Sequence, residues 1–230
     1  MKFIKFTLSA PLQSWGDNSR WDNRNTANMP TKSGIIGLLG CCLGYPRGDE
    51  RLNRLDQQLH LAVRSDRAGR IMTDFHTVHG TYGVLLSAEG KKRQNGNTIV
   101  SKRQYLQDAR FTVFLWGAEA DLERCYQAMS HPKWTIYLGR KSCVPSLPVR
   151  PEWLEASTPE EAAAIFSETE RRLCDRMVNV EIEMLPEDTL SSKQRLITRQ
   201  DSVIRADRNE YAARYVRAYT IRCGGEEACT

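Results

Sequence analysis

The segment Arg110 to Gly117 constrains the fold most. Phe111, Val113 and Leu115 fall on one face of an extended strand, and Phe114 and Trp116 on the other. With both faces apolar, it belongs at the centre of a sheet. Asp121 to Ser130 follows with Leu122, Cys125, Tyr126 and Met129 at helical spacing. Lys2 to Leu8 reads as another strand through Phe3, Ile4, Phe6 and Leu8, and the polar stretch Gln13 to Met29 after it as a loop. Pro30 and Thr31 then stand at a helix start. Ser33 through Leu43 is an apolar run whose Gly37, Gly40, Cys41 and Gly44 recur at three and four, so the helix can approach a sheet closely and end at Gly44. Leu59 to Arg64 alternates as a second strand, and Asp74 to Tyr82 is a further extended piece. This order of strand, helix, strand, strand, helix predicts an α+β fold of ferredoxin-like type, a split β-α-β unit on an antiparallel sheet. A β-sandwich would not supply the two helices.

Between Tyr82 and Tyr105, Val84-Leu85-Leu86 and Ile99-Val100 flank Asn95-Gly96, a strong hairpin signal. A projecting basic hairpin over about 82–104 is expected. Its tip holds Lys91, Lys92 and Arg93, and no acid occurs from residue 90 through 107. The domain reading is a body over 1–150 and a smaller, β-rich C-terminal region over 151–230. Thr158-Pro159-Glu160-Glu161 starts a single helix to about Cys174, Val178 to Met184 alternates as a strand, and Tyr211 to Cys223 resembles another.

The net charge of +5 hides a strong asymmetry. Residues 1–150 hold 22 Lys/Arg against 12 Asp/Glu, whereas 151–190 hold 3 against 11. A cationic body suggests a polyanion partner, nucleic acid first, although solvated surface charge would give the same sum. The acidic 151–190 insert reads as a protein-facing surface. The seven cysteines are odd in number with no C-x-x-C pair, which fits a reducing cytoplasm. No apolar run is long enough to cross a membrane, and Lys2 and Lys5 break any signal-peptide core, so export and a membrane partner are not expected.

Lys32-Ser33 at a helix start invites a nucleotide-loop reading, but that motif needs glycine at 26 and 31 and both are threonine. A phosphate at the helix amides, Lys32 and Ser33, or simple capping, both remain open. His76 and His79, three apart on an extended segment, face opposite sides, so no metal and no cofactor is expected. Tyr137-Leu138-Gly139-Arg140-Lys141-Ser142-Cys143 puts two cations and a hydroxyl on one tight turn, a phosphate-contacting loop or a plain surface turn. With Trp15, Trp21 and Tyr105 as rings that can stack, these cations suit single-stranded RNA better than duplex DNA.

Ala10-Pro11-Leu12-Gln13-Ser14-Trp15-Gly16, Arg24, and Pro30-Thr31-Lys32-Ser33-Gly34-Ile35-Ile36-Gly37-Leu38-Leu39-Gly40 closely resemble the N-terminus of the CasD family, a CRISPR-associated Cascade subunit of subtype I-E. The likeness continues in order through Ala62-Val63-Arg64, Asp74-Phe75-His76-Thr77, the block Arg103 to Val113, and Tyr137 to Cys143. From 151 onward it is loose. The resemblance implies a ferredoxin-like, RNA-recognition-motif-like fold whose projecting hairpin, a thumb, presses on the guide RNA. It further implies a non-catalytic subunit, one copy in a hetero-oligomeric complex, that holds the 5′ handle of the crRNA. Expected partners are that handle, a CasC-type backbone subunit and a CasA-type large subunit, with target DNA met indirectly.

Under this resemblance Lys32, Ser33, Arg140, Lys141 and Ser142 are expected on phosphates, and Gln13, Ser14, Trp15 and Arg24 along the handle. Arg64, His76, Arg103, Tyr105 and the thumb cations Lys91, Lys92 and Arg93 complete the set. Two rivals stand beside it. One is a metal-independent endoribonuclease that cuts repeat RNA with His76, Lys32 and a tyrosine, as related subunits of another subtype do. The other is a basic RNA-binding module outside CRISPR.

Overall fold

The computed structural model describes residues 1–16, 22–79, 98–205, 207 and 210–223. In chain order the elements are β1 (Lys2–Ser9), β2 (Leu12–Gln13), β3 (Asn23–Arg24), α1 (Lys32–Leu43), α2 (Glu50–Gln58), β4 (Leu59–Arg67), β5 (Arg70–Val78), β6 (Ile99–Gln107), β7 (Arg110–Gly117), α3 (Glu119–Ser130), β8 (Glu152–Glu155), α4 (Pro159–Ala164), α5 (Glu168–Leu173), β9 (Met177–Glu183), β10 (Arg195–Arg205) and β11 (Glu210–Arg222). The fold is α+β with two sheets. The larger has seven strands in the order β10-β11-β9-β4-β7-β1-β8, all neighbours antiparallel. In the smaller, β6 pairs with β5, β2 and β3.

β7 lies inside the large sheet and is covered on both sides. Phe111, Val113 and Leu115 pack with Ile35 and Leu39 of α1 and Leu122, Cys125 and Met129 of α3. Phe114 and Trp116 pack on the other face with Ala162, Ala163 and Phe166 of the α4–α5 layer. Each fully buried side chain of this kind contributes about 1.5–3 kcal/mol. α1 is bounded as its sequence indicates: the Thr31 side chain accepts the Gly34 amide, and Gly44 closes the helix at φ 73°.

Four local expectations change. The single helix from 159 is two short ones, because the Arg64 guanidinium takes the carbonyls of Ala163 and Ile165 at 2.8 Å each and ends α4 there. A Ser167–Glu170 capping box then starts α5. The hairpin arms are β5 and β6, paired from Arg70↔Gln107 to Val78↔Ile99, so the ribbon is rooted earlier than residue 82. Lys91, Lys92, Arg93, Trp21 and the Asn95-Gly96 turn lie outside the described residues. α2, β8 and β10 were not anticipated. Cys174 and Cys223, at the ends of α5 and β11, form a disulfide, where the cysteine count suggested only thiols. β9, β10 and β11 extend the same sheet as β4, β7 and β1.

Part of the acidic insert turns inward, while Glu152, Glu155, Glu161, Glu168, Asp175 and Glu187 stay exposed. Glu170 meets Lys5 at 2.7 Å and Arg64 at 3.0 Å, and Glu183 meets Lys32 at 2.8 Å. Glu181 pairs with Arg199, and Glu160 and Asp188 with Arg217. Three cations of the basic body are thus neutralised inside the protein. Among the described residues no helix is long and apolar enough to cross a membrane.

Candidate RNA interface

The residues selected from sequence divide into an internal group and a surface group. Trp15 is 1 % exposed, its ring lying against Gly34. Its indole Nε1 donates to Gln13 Oε1 at 3.1 Å, while Gln13 Nε2 donates to Ala109 O at 2.8 Å. Both side chains are spent inside the body, and Trp15 has no face left for a base. Lys32 is also buried. Its Nζ pairs with Glu183, and its backbone amide donates to Asp201 Oδ2 at 2.7 Å. Arg214 grips that same carboxylate at 2.9 and 2.8 Å. The N-terminus of α1 therefore already holds an anion, the protein's own, and Lys32 does not face a phosphate there. Ser33 beside it is half-buried.

Arg64 is fully buried, with Asp66 at 2.6 Å, Glu170 at 3.0 Å and the Phe166 ring 3.7 Å beneath it. It is a staple between sheet and α4–α5 layer rather than an RNA contact.

The surface group converges on the small sheet. Register sets Arg24 of β3 beside Arg103 of β6, and Arg103 beside Asp74 of β5. Arg103 Nε donates to Ser101 Oγ at 3.2 Å. Arg140 spans the cluster: its Nη1 donates to Gln104 O and its Nη2 to Arg24 O, both at 3.0 Å. Its guanidinium lies 4.6 Å from the centre of the Tyr105 ring. Tyr105 is 6 % exposed, so it supports Arg140 and does not itself offer a stacking face. Half-buried His76 of β5 sits opposite Ser101 of β6, with Nδ1 3.7 Å from Asp74 Oδ2.

The turn after Leu138 is locked in place. Leu138 O accepts the Ser14 amide at 3.1 Å, and Leu138 N donates to Cys143 O at 2.8 Å. Gly139 has φ 90°, and a Cβ there would stand 1.6 Å from Ser14 O, so glycine is required. Ser14 Oγ donates to Gln104 O at 3.4 Å. With Leu138 and Arg140 anchored, Lys141 and Ser142 are left exposed at the tip. Arg24, Arg103, Arg140, His76 and Asp74 thus gather on the small sheet, and Lys141 and Ser142 follow Arg140 at the exposed turn. Such a set can neutralise several phosphates of one strand.

A family model described as CRISPR-associated protein (Cas_Cas5) matches residues 3–218. The chain belongs to this family. It is 36 % identical over 175 residues to the CRISPR system Cascade subunit CasD of Escherichia coli (strain K12), covering 70 % of this chain and 75 % of that protein. A solved chain titled CRISPR RNA-guided surveillance complex superposes with a TM-score of 0.71 at 28 % identity, over 97 % of this chain and 90 % of that one. Another, titled Crystal structure of Cas protein, gives 0.62 at 27 % identity over 98 % of each. Family membership therefore extends through the region after 151, where the motif likeness was loose.

Sequence reasoning missed two exposed aromatics in the segment that leads into the Arg140 turn. Trp134 is 46 % and Tyr137 37 % exposed. The signal was present in the acid-free run from 131 to 151, which carries Lys133, Arg140, Lys141 and Arg150.

Proposed function

We propose that this Cas5-family chain is a non-catalytic RNA-binding subunit of a type I-E Cascade surveillance complex, holding the 5′ handle of the crRNA and capping one end of the backbone. The observation that carries the proposal is Arg140, fixed by Arg24 O and Gln104 O over Tyr105, with Arg103 beside Arg24 and with Lys141 and Ser142 following at the exposed turn. Preformed cations of this kind suit a short single strand. The order β8-β1-β7-β4, with α1 after β1 and α3 after β7, supports the ferredoxin-like assignment. The β5–β6 ribbon is the proposed root of the thumb, whose cations would follow the guide. CasC-type and CasA-type subunits are the proposed protein partners, target DNA is reached through the complex, and the location is cytoplasmic. In this reading residue 150 divides an RNA-holding part from a charge-neutralising part, the two joined through the large sheet that β1, β4 and β7 share with β8, β9, β10 and β11.

The arrangement favours binding over cleavage. Lys32 is locked to Glu183, Tyr105 lies under Arg140, and His76 faces Asp74. These three do not surround one phosphate, as metal-independent cleavage by that set requires. The test is handle RNA binding against salt. A slope near −0.7 per phosphate neutralised is expected, and Arg103→Ala or Lys141→Ala should each reduce it by about that amount. A flat plot rejects the proposal. Repeat RNA incubated with the protein in EDTA should stay intact.

A further inference from the structure

The RNA surface just described has phosphate partners, but Trp15 and Tyr105, two of the rings expected to hold unpaired bases, are buried. Exposed aromatic side chains among the described residues are Phe75, Trp134, Tyr137, Tyr211 and Tyr215. Phe75 stands on β5, and Tyr211 and Tyr215 on β11, whereas Trp134 and Tyr137 lie in the run without acid from 131 to 151 that leads into the Arg140 turn. That pair directly precedes the phosphate-binding turn, Tyr137 three residues and Trp134 six residues before Arg140.

Their backbone is fixed at both ends. Lys133 N donates to Cys42 O at 2.9 Å, and Cys41 Sγ to Thr135 O at 3.3 Å, which ties the start of the segment to the C-terminal end of α1. At the other end Leu138 is held by Ser14 and Cys143. Buried Leu138 and half-buried Ile136 point inward while Trp134, Thr135 and Tyr137 stay exposed. The Cα atoms of Trp134 and Tyr137 are at most about 11 Å apart along the chain, and Tyr137 is one residue from the anchored Leu138. A rigid aromatic on an anchored segment loses little entropy when a base stacks on it.

We infer that Trp134 and Tyr137 form a base-stacking track that continues the phosphate-binding turn at Arg140, Lys141 and Ser142 along α1 for one single-stranded RNA. The inference rests on the RNA-binding reading above and adds to it the residues that hold bases. A strand whose phosphates meet Lys141 and Ser142 passes Tyr137 first and Trp134 next.

The test uses the full chain and two labelled probes: an oligoadenylate of about eight nucleotides, within the range of known single-strand sites, and the same backbone made abasic. Trp134→Ala and Tyr137→Ala should each weaken oligoadenylate binding about tenfold, the size expected for one stacked base. Neither should alter binding of the abasic strand or the salt slope. Trp134→Phe should keep most of the affinity but lose the quenching of indole emission that oligoadenylate produces in the unaltered protein. Equal losses on both probes, or no loss on oligoadenylate while Lys141→Ala still weakens it, would overturn the stacking track alone. If Lys141→Ala and Arg103→Ala are also without effect on either probe, the RNA-binding reading itself falls, and the track with it.

Discussion

The guanidinium of Arg64 and the carboxylate of Asp66 meet at 2.6 Å with neither side chain exposed. Thr112 Oγ1 donates to the other Asp66 oxygen at 2.5 Å, and Glu170 completes the charge balance from α5. Removing one partner of such a group leaves the rest charged and buried, which costs far more than the pair itself contributes. Arg64→Ala should therefore lower the unfolding free energy by about 3–5 kcal/mol, measured by urea titration. Below its melting temperature the variant should bind RNA with an unchanged salt slope. A reduced slope would return Arg64 to the RNA surface.

Gln13 should behave in the same way on a smaller scale. Gln13→Ala leaves Trp15 Nε1 and Ala109 O without their partner, at about 1–3 kcal/mol for buried groups left unsatisfied. Thermal melting should fall while handle affinity at low temperature holds.

Gly139 is the position where backbone and function are most directly joined. Gly139→Ala must move Ser14 O or the turn itself, at about 1–3 kcal/mol of strain or more. Because Arg140, Lys141 and Ser142 follow at once, RNA affinity should drop even in conditions where the variant stays folded. Anisotropy titration beside a melting curve separates the two effects.

Acid sensitivity should centre on Glu183. Burial pushes its carboxyl up, but contact with His60 and the charges of Lys32 and Arg214 outweigh burial and hold it below the ordinary 4.5. A carboxyl depressed by folding stabilises the native state above the unfolded value and loses that contribution as pH falls through the folded value. Neighbouring Asp56 runs the other way: burial holds it above 3.8 despite Lys32 and Ser202, so its protonation in acid is a relief. Glu183→Gln should be less stable than the unaltered protein at neutral pH and should lose less on acidification below about pH 4.5. Urea titrations between neutral pH and about pH 3 measure both limbs. A Glu183→Gln curve parallel to that of the unaltered protein would contradict the assignment.

Much of the fold was legible because it is written locally. The two apolar faces of β7, the Thr31 cap and the Gly44 stop of α1 each depend on residues within a turn or a strand. The break between α4 and α5 was not, since the group that ends α4 is Arg64, far away in sequence. α2 was missed because Asp56 interrupts its apolar stripe, and that aspartate is buried only because Lys32 and Ser202 meet it. For the site the difficulty is the same. Lys32 and Arg140 look alike in a sequence, and the difference between them is Glu183, supplied from the other end of the chain. Charge can be counted from composition, but whether a cation faces solvent or a carboxylate is a property of the fold.

The pairing of β4 with β9, Ala62 opposite Ile182, also bears on how the chain is made. During synthesis β1, β4 and β7 emerge long before β9, and until then one edge of β4 is bare and Lys32 lacks Glu183. Sheet closure between such distant segments is slow, and unpaired edges invite association. A nascent chain halted before β9 would expose both a bare strand edge and unneutralised charge, the two features that recruit holding chaperones and stray RNA.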